Sequence, residues 1–256
     1  MSSNNITILL YGNLHEDISL IDTLNVYTKL CNVVLSVYKS DIDKVLEIRK
    51  LFPTIIIVAN DITEYEKHPL KVNKQFVTWN TLHLQNGFFD ICMIKLGLSV
   101  IHTKHVLVSR IDHYYSCLSK FIEYGLNAEK IVTSSIYVRG CKDRFFPFRF
   151  HFSNCLFMGK TNDIKLCFNL CYNNGLLTCP ELGIWKPYFT HIFNIKSIDI
   201  NTVNDEMYVE YVSELMDVYS INNVGPYKIK LDCGIKTHMN DNNKTTKEYL
   251  TYGCDC

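Results

Sequence analysis

Residues 104–116 read Lys-His-Val-Leu-Val-Ser-Arg-Ile-Asp-His-Tyr-Tyr-Ser. A short apolar run, Val106 to Val108, stops at Ser109, Arg110 and Asp112. That is the pattern of a buried strand whose carboxyl end opens into a polar site. In open α/β sheets, ligands bind at that end of the strands. In that setting Arg110 suits a phosphate and Asp112 a metal ion; the competing reading is a surface ion pair in a turn.

Upstream, the first 60 residues alternate. Ile6 to Tyr11 is an apolar run closed by Gly12-Asn13, a strand and a tight turn. Ile18, Ile21, Leu24, Tyr27 and Leu30 fall on one helical face between Glu16 and Leu30. Val33 to Val37 gives a second strand. Ser40 and Asp43 have the spacing of a capping box for the next helix, which Phe52-Pro53 ends. Thr54 to Val58 is a third strand, and its β-branched run predicts burial on both faces. Strand–helix–strand–helix–strand predicts an α/β fold, with a mostly parallel central sheet and helices on both faces. Right-handed crossovers would bring Gly12-Asn13 and Asn60-Asp61 to the same edge as Asp112. No G-x-G-x-x-G follows the first strand and no Walker loop occurs anywhere.

Downstream, residues 61–79 read as a loop, 80–97 as a helix and 131–138 as a strand. Ser116 is placed to cap a short helix ending near Gly125. Arg139 to Lys160 combines six basic residues with six phenylalanines. Such a run either covers a bound sugar-nucleotide with an aromatic platform or packs in the core with its basic residues reaching outward. Thr161 is placed to cap a helix, residues 205–218 read as another, and 239–247 as a loop or loose tail.

Composition narrows the classes. With 256 residues and 47% hydrophobic content, the chain can build a full core. A formal net charge of zero argues against nucleic acid as the main partner. No apolar run reaches the roughly 18 residues that would span a bilayer. The N-terminus lacks the basic and apolar regions of a signal peptide. Eleven cysteines, an odd number with no C-x-x-C pair, suit a reducing compartment, so a cytoplasmic location is expected. Cys254-Asp-Cys256 reads as part of a loose tail.

Several segments occur together in one order: Ile-Thr-Ile-Leu-Leu-Tyr-Gly at 6–12, Val-Leu-Ser-Val at 34–37, Asn73-Lys74-Gln75, Val-Leu-Val-Ser-Arg-Ile-Asp at 106–112, Ser116, and His-Phe-Ser-Asn-Cys-Leu-Phe-Met-Gly at 151–159. In this order they resemble the WavE-type lipopolysaccharide-synthesis proteins, a family read as glycosyltransferases of GT-A-like fold. The likeness covers roughly residues 5–190.

The resemblance implies a single Rossmann-like, GT-A-like domain. Residues 1–112 would be its nucleotide-sugar half, 113–220 its acceptor half, and 221–256 a partly flexible C-terminal extension. It implies a sugar moved from a nucleotide-diphospho-sugar to a glycan or other hydroxyl acceptor. Asp112 would reach a divalent cation, Mn²⁺ or Mg²⁺, on the donor's diphosphate. Arg110 stands where the family pattern carries an acidic residue. Gly12, Asn13, Asn73, Lys74, Gln75, Arg110 and Asn154 would line the donor, with Lys74 a point charge on phosphate.

Where the family motif has Asp, this chain has Asn154, which cannot accept a proton; His151 is then the first candidate base beside Asp112, with Asp143 or Asp163 the alternatives. The alternative is a catalytically degenerate member of the same fold, binding glycan or nucleotide-sugar without turnover.

Overall fold

The computed structural model describes residues 5–14, 19–61, 63, 81–143, 148–174, 180–231, 234–237, 241 and 243–254. Strands β1 (Ile6–Tyr11), β2 (Asn32–Tyr38), β3 (Ile56–Asn60), β4 (His105–Arg110), β6 (Ile131–Ser134), β7 (Leu156–Lys160) and β8 (Met216–Tyr219) form one sheet in the order β3-β2-β1-β4-β7-β6-β8. Only β7 runs antiparallel to its neighbours. A second, three-stranded sheet joins β5 (His113–Tyr115) to β9 (Tyr227–Leu231) and β10 (Gly234–Lys236).

Alternate strand residues face opposite ways, and each face acquires its own core. Leu9, Tyr11, Val106, Val108 and Phe157 pack under α3 (Thr81–Ser99), α5 (Thr161–Asn174), α6 (Pro180–Ile195), α7 (Asp205–Ser213) and α8 (Thr246–Tyr252). Ile8, Leu10, Val33, Leu35 and Leu107 pack under α1 (Leu20–Tyr27), α2 (Ile42–Leu51) and α4 (Leu118–Ala128). The predicted α/β architecture is therefore present.

Local signals fared unevenly. Ser19 caps α1, accepting from the Asp22 amide at 3.2 Å. The Ser40–Asp43 capping box does not form. A 3₁₀ turn over Lys39–Asp41 precedes α2, and the Asp41 carboxylate accepts instead from the Leu14 amide at 3.4 Å. Nor is β3 buried on both faces: it is the sheet edge, with Ile56 exposed.

Ser116 is not a cap, and α4 runs past Gly125 to Ala128. Gly125 is there for packing, because a Cβ would lie 2.4 Å from Met158 Sδ of β7. Thr161 opens α5, and its hydroxyl donates to the Thr103 carbonyl at 2.7 Å. The expected helix over 205–218 ends at Ser213, because Met216 and Val218 alternate inward as a strand.

The stretch 239–247 is expected to be a loop or loose tail. Asp241 within it lies in a loop, is buried, and accepts from the hydroxyls of Ser135, Ser220 and Tyr249 and from the Ile221 amide. Thr245 and Glu248 form a reciprocal capping box on α8. Cys254 is buried and disulfide-bonded, whereas Cys31, Cys92, Cys117, Cys141, Cys155, Cys167 and Cys171 are free thiols. Among the described residues no helix is long and apolar enough to cross a membrane.

Candidate functional site

The parallel register brings several strand ends to one edge. Tyr11 of β1 pairs with Ser36 of β2 and Arg110 of β4, and Tyr38 of β2 pairs with Asn60 of β3. Antiparallel β7 starts there, with Leu156 opposite Ser109. Segments 12–13, 60–61 and 110–113 thus converge, as the alternation predicts, and antiparallel β7 adds segment 151–155.

At the centre is Arg110, 31% exposed along its side chain. Its Nε and Nη2 donate to Oδ1 and Oδ2 of Asp112 at 2.8 and 2.7 Å, and its Nη1 lies 3.6 Å from Asp90 Oδ2 on α3. Asp112 is only 2% exposed. The pair is an ion pair in a turn, but an inward-facing one. Burial works against the guanidinium's charge, yet the Asp112 hydrogen bonds and the charges of Asp112 and Asp90 outweigh it, so Arg110 stays protonated. Burial, reinforced by the charges of Asp112 and Glu181, pushes the Asp90 carboxyl up to about 6 against the pull of Arg110.

The surroundings are closely tied. The Arg110 amide donates to the Cys155 carbonyl at 3.3 Å, and the Tyr11 hydroxyl donates to the Asn154 carbonyl at 3.0 Å. His113, fully buried, places Nε2 3.7 Å from Asp112 Oδ1 and Nδ1 3.1 Å from the Tyr115 hydroxyl. Gly12 has φ +119°, a conformation that favours glycine, and donates to the Ser36 carbonyl. Asn13 beside it is exposed. Asn60 is inward, bonded to the Ser36 hydroxyl and the Val37 carbonyl, so its role is structural.

His151 sits at the near end of the Arg139–Lys160 run. Its carbonyl accepts from the Arg139 amide at 2.9 Å, and its ring stacks on Phe148, centroids 6.1 Å apart. Nδ1 is buried without a hydrogen-bond partner. Burial lowers the ring's pKa, with Glu181 opposing and Arg139 assisting, so at neutral pH the imidazole is uncharged. The aromatic run is chiefly core: Phe150, Phe152 and Phe157 are buried, while Phe148 is exposed.

Of the residues singled out from the sequence, Gly12, Asn13, Arg110, Asp112, His151 and Asn154 lie on the converging segments. Asn73, Lys74 and Gln75 lie outside the described residues. Two acidic residues were missed. Asp90 is hidden within an apolar helix. Glu181 is one turn before Trp185, whose indole N–H donates to the Phe152 carbonyl at 3.2 Å. Each helps line the site only because α3 and α6 pack across the sheet.

The fit to a divalent cation is poor. Both oxygens of Asp112 are engaged by Arg110, and among the described residues no three His, Cys, Asp or Glu side chains are grouped to hold a metal. Asp112 as folded is therefore a partner of Arg110, where the sequence led to a metal ligand. One cavity lies near Ser19, Asp22 and Tyr114 and another near Phe148 and Lys186; neither is lined by Arg110 or Asp112.

No family model and no curated protein matches the chain; the WavE-type likeness rests on the short motifs alone. Among solved structures, a 4-diphosphocytidyl-2C-methyl-D-erythritol synthase from Anaerococcus prevotii is 13% identical, covering 86% of this chain and 90% of its own, with a TM-score of 0.43. HddC from Yersinia pseudotuberculosis, complexed with GMP-PN, is 15% identical over 62% of this chain and 78% of its own, with a TM-score of 0.36. S. aureus TarS 1-349 is 8% identical over 82% and 70%, with a TM-score of 0.41. With overlaps this loose, what the chain does has to be read from its own residues.

Proposed function

We propose that the chain is a glycosyltransferase that moves a sugar from a nucleotide-diphospho-sugar to a hydroxyl acceptor, a glycan being the expected kind. The observation that carries this reading is Arg110, a permanently charged fork held by Asp112 and Asp90 at the carboxyl edge of a parallel sheet.

In the reaction the acceptor oxygen bonds to the anomeric carbon while the bond from that carbon to the diphosphate breaks. The electron pair leaves on the diphosphate, where the N–H groups of Arg110 that Asp112 leaves free, on Nη1 and Nη2, offset the developing charge. Asp112 and Asp90 position the guanidinium. Gly12, with no side chain, lets a ligand approach the backbone. The acceptor's proton goes to His151, which burial keeps neutral and able to take it. No step is routed through a metal, because Asp112 is already engaged.

Turnover of a panel of UDP- and GDP-sugars, followed by release of the nucleotide, tests the proposal. Hydrolysis or transfer from at least one donor is expected. Absence of turnover across the panel, with nucleotide-sugar binding intact, favours a non-catalytic binder of the same fold. Asn154, which cannot titrate where the resembled motif has Asp, is the residue that favours this second reading.

A further inference from the structure

A groove of about 280 Å³ opens next to the site, lined by Phe148, Arg149, Phe150, Leu182, Lys186 and Asn201. It lies beyond His151 from the strand ends, since Phe148 stacks on the His151 ring and Leu182 adjoins Glu181. Its volume is at the low end of the roughly 300–1,000 Å³ typical of ligand pockets, which suits a single ring better than a chain of them.

Three features give the groove its chemistry. Phe148 is 43% exposed, an unusual placement for a large aromatic in a run whose other described phenylalanines are buried. Its flat face suits the apolar C–H face of a pyranose ring. Arg149 lines the groove, but its charge is already matched: Nη2 donates to Asp205 at 2.6 Å and the guanidinium lies over the Tyr208 ring at 5.1 Å. Lys186 lies on the same face of α6 as Leu182, one turn on. It is exposed, and among the described residues no carboxylate pairs with it. A cation on an aromatic floor is left to be matched by a ligand.

The backbone beneath is built to hold this arrangement. Phe150 has φ +64°, a left-handed conformation that disfavours a bulky side chain. Surrounding contacts hold it there. Its amide donates to the Tyr208 hydroxyl at 2.8 Å, and its ring meets Tyr208 edge-on at 5.1 Å and Phe189 stacked at 5.8 Å. These contacts fix the turn from which Phe148 projects.

We infer that this groove is the acceptor subsite and takes a sugar ring bearing one anionic group, with Phe148 under the ring and Lys186 on the anion. The inference rests on the transferase reading for the word acceptor. Lys186 is a point charge without the arginine fork, so the anion can be a carboxylate or a phosphate ester.

Ligand-observed NMR titration of the full chain tests it with three probes: methyl β-glucuronide, methyl glucoside 6-phosphate and methyl glucoside. The wild type should bind at least one anionic ring about fivefold tighter than the neutral one, the range expected of an exposed ion pair. A preference for the glucuronide alone selects the carboxylate, and one for the phosphate alone selects the ester. Lys186→Gln, an exposed position that leaves the fold intact, should erase the preference. Phe148→Ala should weaken all three probes. Equal binding of charged and neutral rings, a preference that survives Lys186→Gln, binding indifferent to Phe148→Ala, or no binding at all would overturn the assignment. If the rings bind as described and no nucleoside diphosphate does, the transferase reading fails while the groove stands.

Discussion

The guanidinium of Arg110 meets the carboxylate of Asp112 edge to edge, with Nε 2.8 Å from Oδ1 and Nη2 2.7 Å from Oδ2. Two residues apart at the end of β4, they form a fork facing a fork. Asp112 is nearly fully buried, so removing one partner differs sharply from removing both. Arg110→Ala, which strips a buried carboxylate of its main partner, should cost about 3–5 kcal/mol in urea unfolding. The double variant Arg110→Met/Asp112→Leu should lose much less than the two single changes added together. Additive losses would show that the two side chains are not energetically coupled.

Asp90 makes stability depend on pH in a defined direction. Burial raises its folded-state pKa to about 6, above the unfolded value near 3.8. The folded state therefore binds the extra proton, and its advantage is full below about pH 4 and lost as pH rises to about 6. His151 works the other way, since burial lowers its pKa, so the informative quantity is a difference between proteins. Asp90→Asn should melt close to the wild type at pH 4. It should gain on it between pH 4 and 6 and hold that gain above. A constant offset across this range would argue against a buried, titrating Asp90.

His151 is assigned the acceptor's proton. Its ring is uncharged at neutral pH, and rates should fall as pH drops through its lowered pKa. His151→Gln should reduce kcat by a factor of about 10²–10⁴ while leaving affinity for the nucleotide unchanged. Equal losses in binding and turnover would make His151 a packing residue of the 148–151 turn.

The buried carboxylate of Asp241 joins three parts of the chain. It accepts from Ser135 at the end of β6, from Ser220 and the Ile221 amide after β8, and from Tyr249 of α8. Asp241→Ala leaves these buried donors unsatisfied, each at about 1–3 kcal/mol, and should lower the melting temperature steeply. A near-neutral variant would return this segment to the loose tail that its polar sequence suggests.

The layered fold was legible because its signal is periodic. Ile8 and Leu10 face one core while Leu9 and Tyr11 face the other, whereas the helical stripes between strands were legible only in part: in α1 Leu24 and Tyr27 are buried, but Ile21 is exposed and Leu20 takes the inward place. Boundaries set by tertiary packing were not legible. Gly125 looks like a helix end but is the clearance for Met158, and Leu215 continues a helical stripe just where the chain turns into β8.

The site divides along the same line. Arg110 and Asp112 are two residues apart in sequence and announced themselves by ending an apolar run. Asp90 and Glu181 carry no local signature, because their place depends on how two distant helices cross the sheet. The pairing of Arg110 with Asp112 was one of the readings the sequence left open, as a surface ion pair, but its burial was not legible. The sequence shows an acidic residue near a strand end, and only the folded chain shows that Arg110 already holds both its oxygens.

The most direct measurement is calorimetric titration of UDP and GDP into the wild type and into Arg110→Gln, with circular dichroism confirming that the variant is folded. At least one nucleoside diphosphate should bind the wild type. Arg110→Gln should weaken it by tenfold or more, as loss of a charge-assisted hydrogen bond of about 1.5–3 kcal/mol requires. Binding that is indifferent to Arg110→Gln, or no binding of either nucleotide, would contradict a diphosphate site at the end of β4.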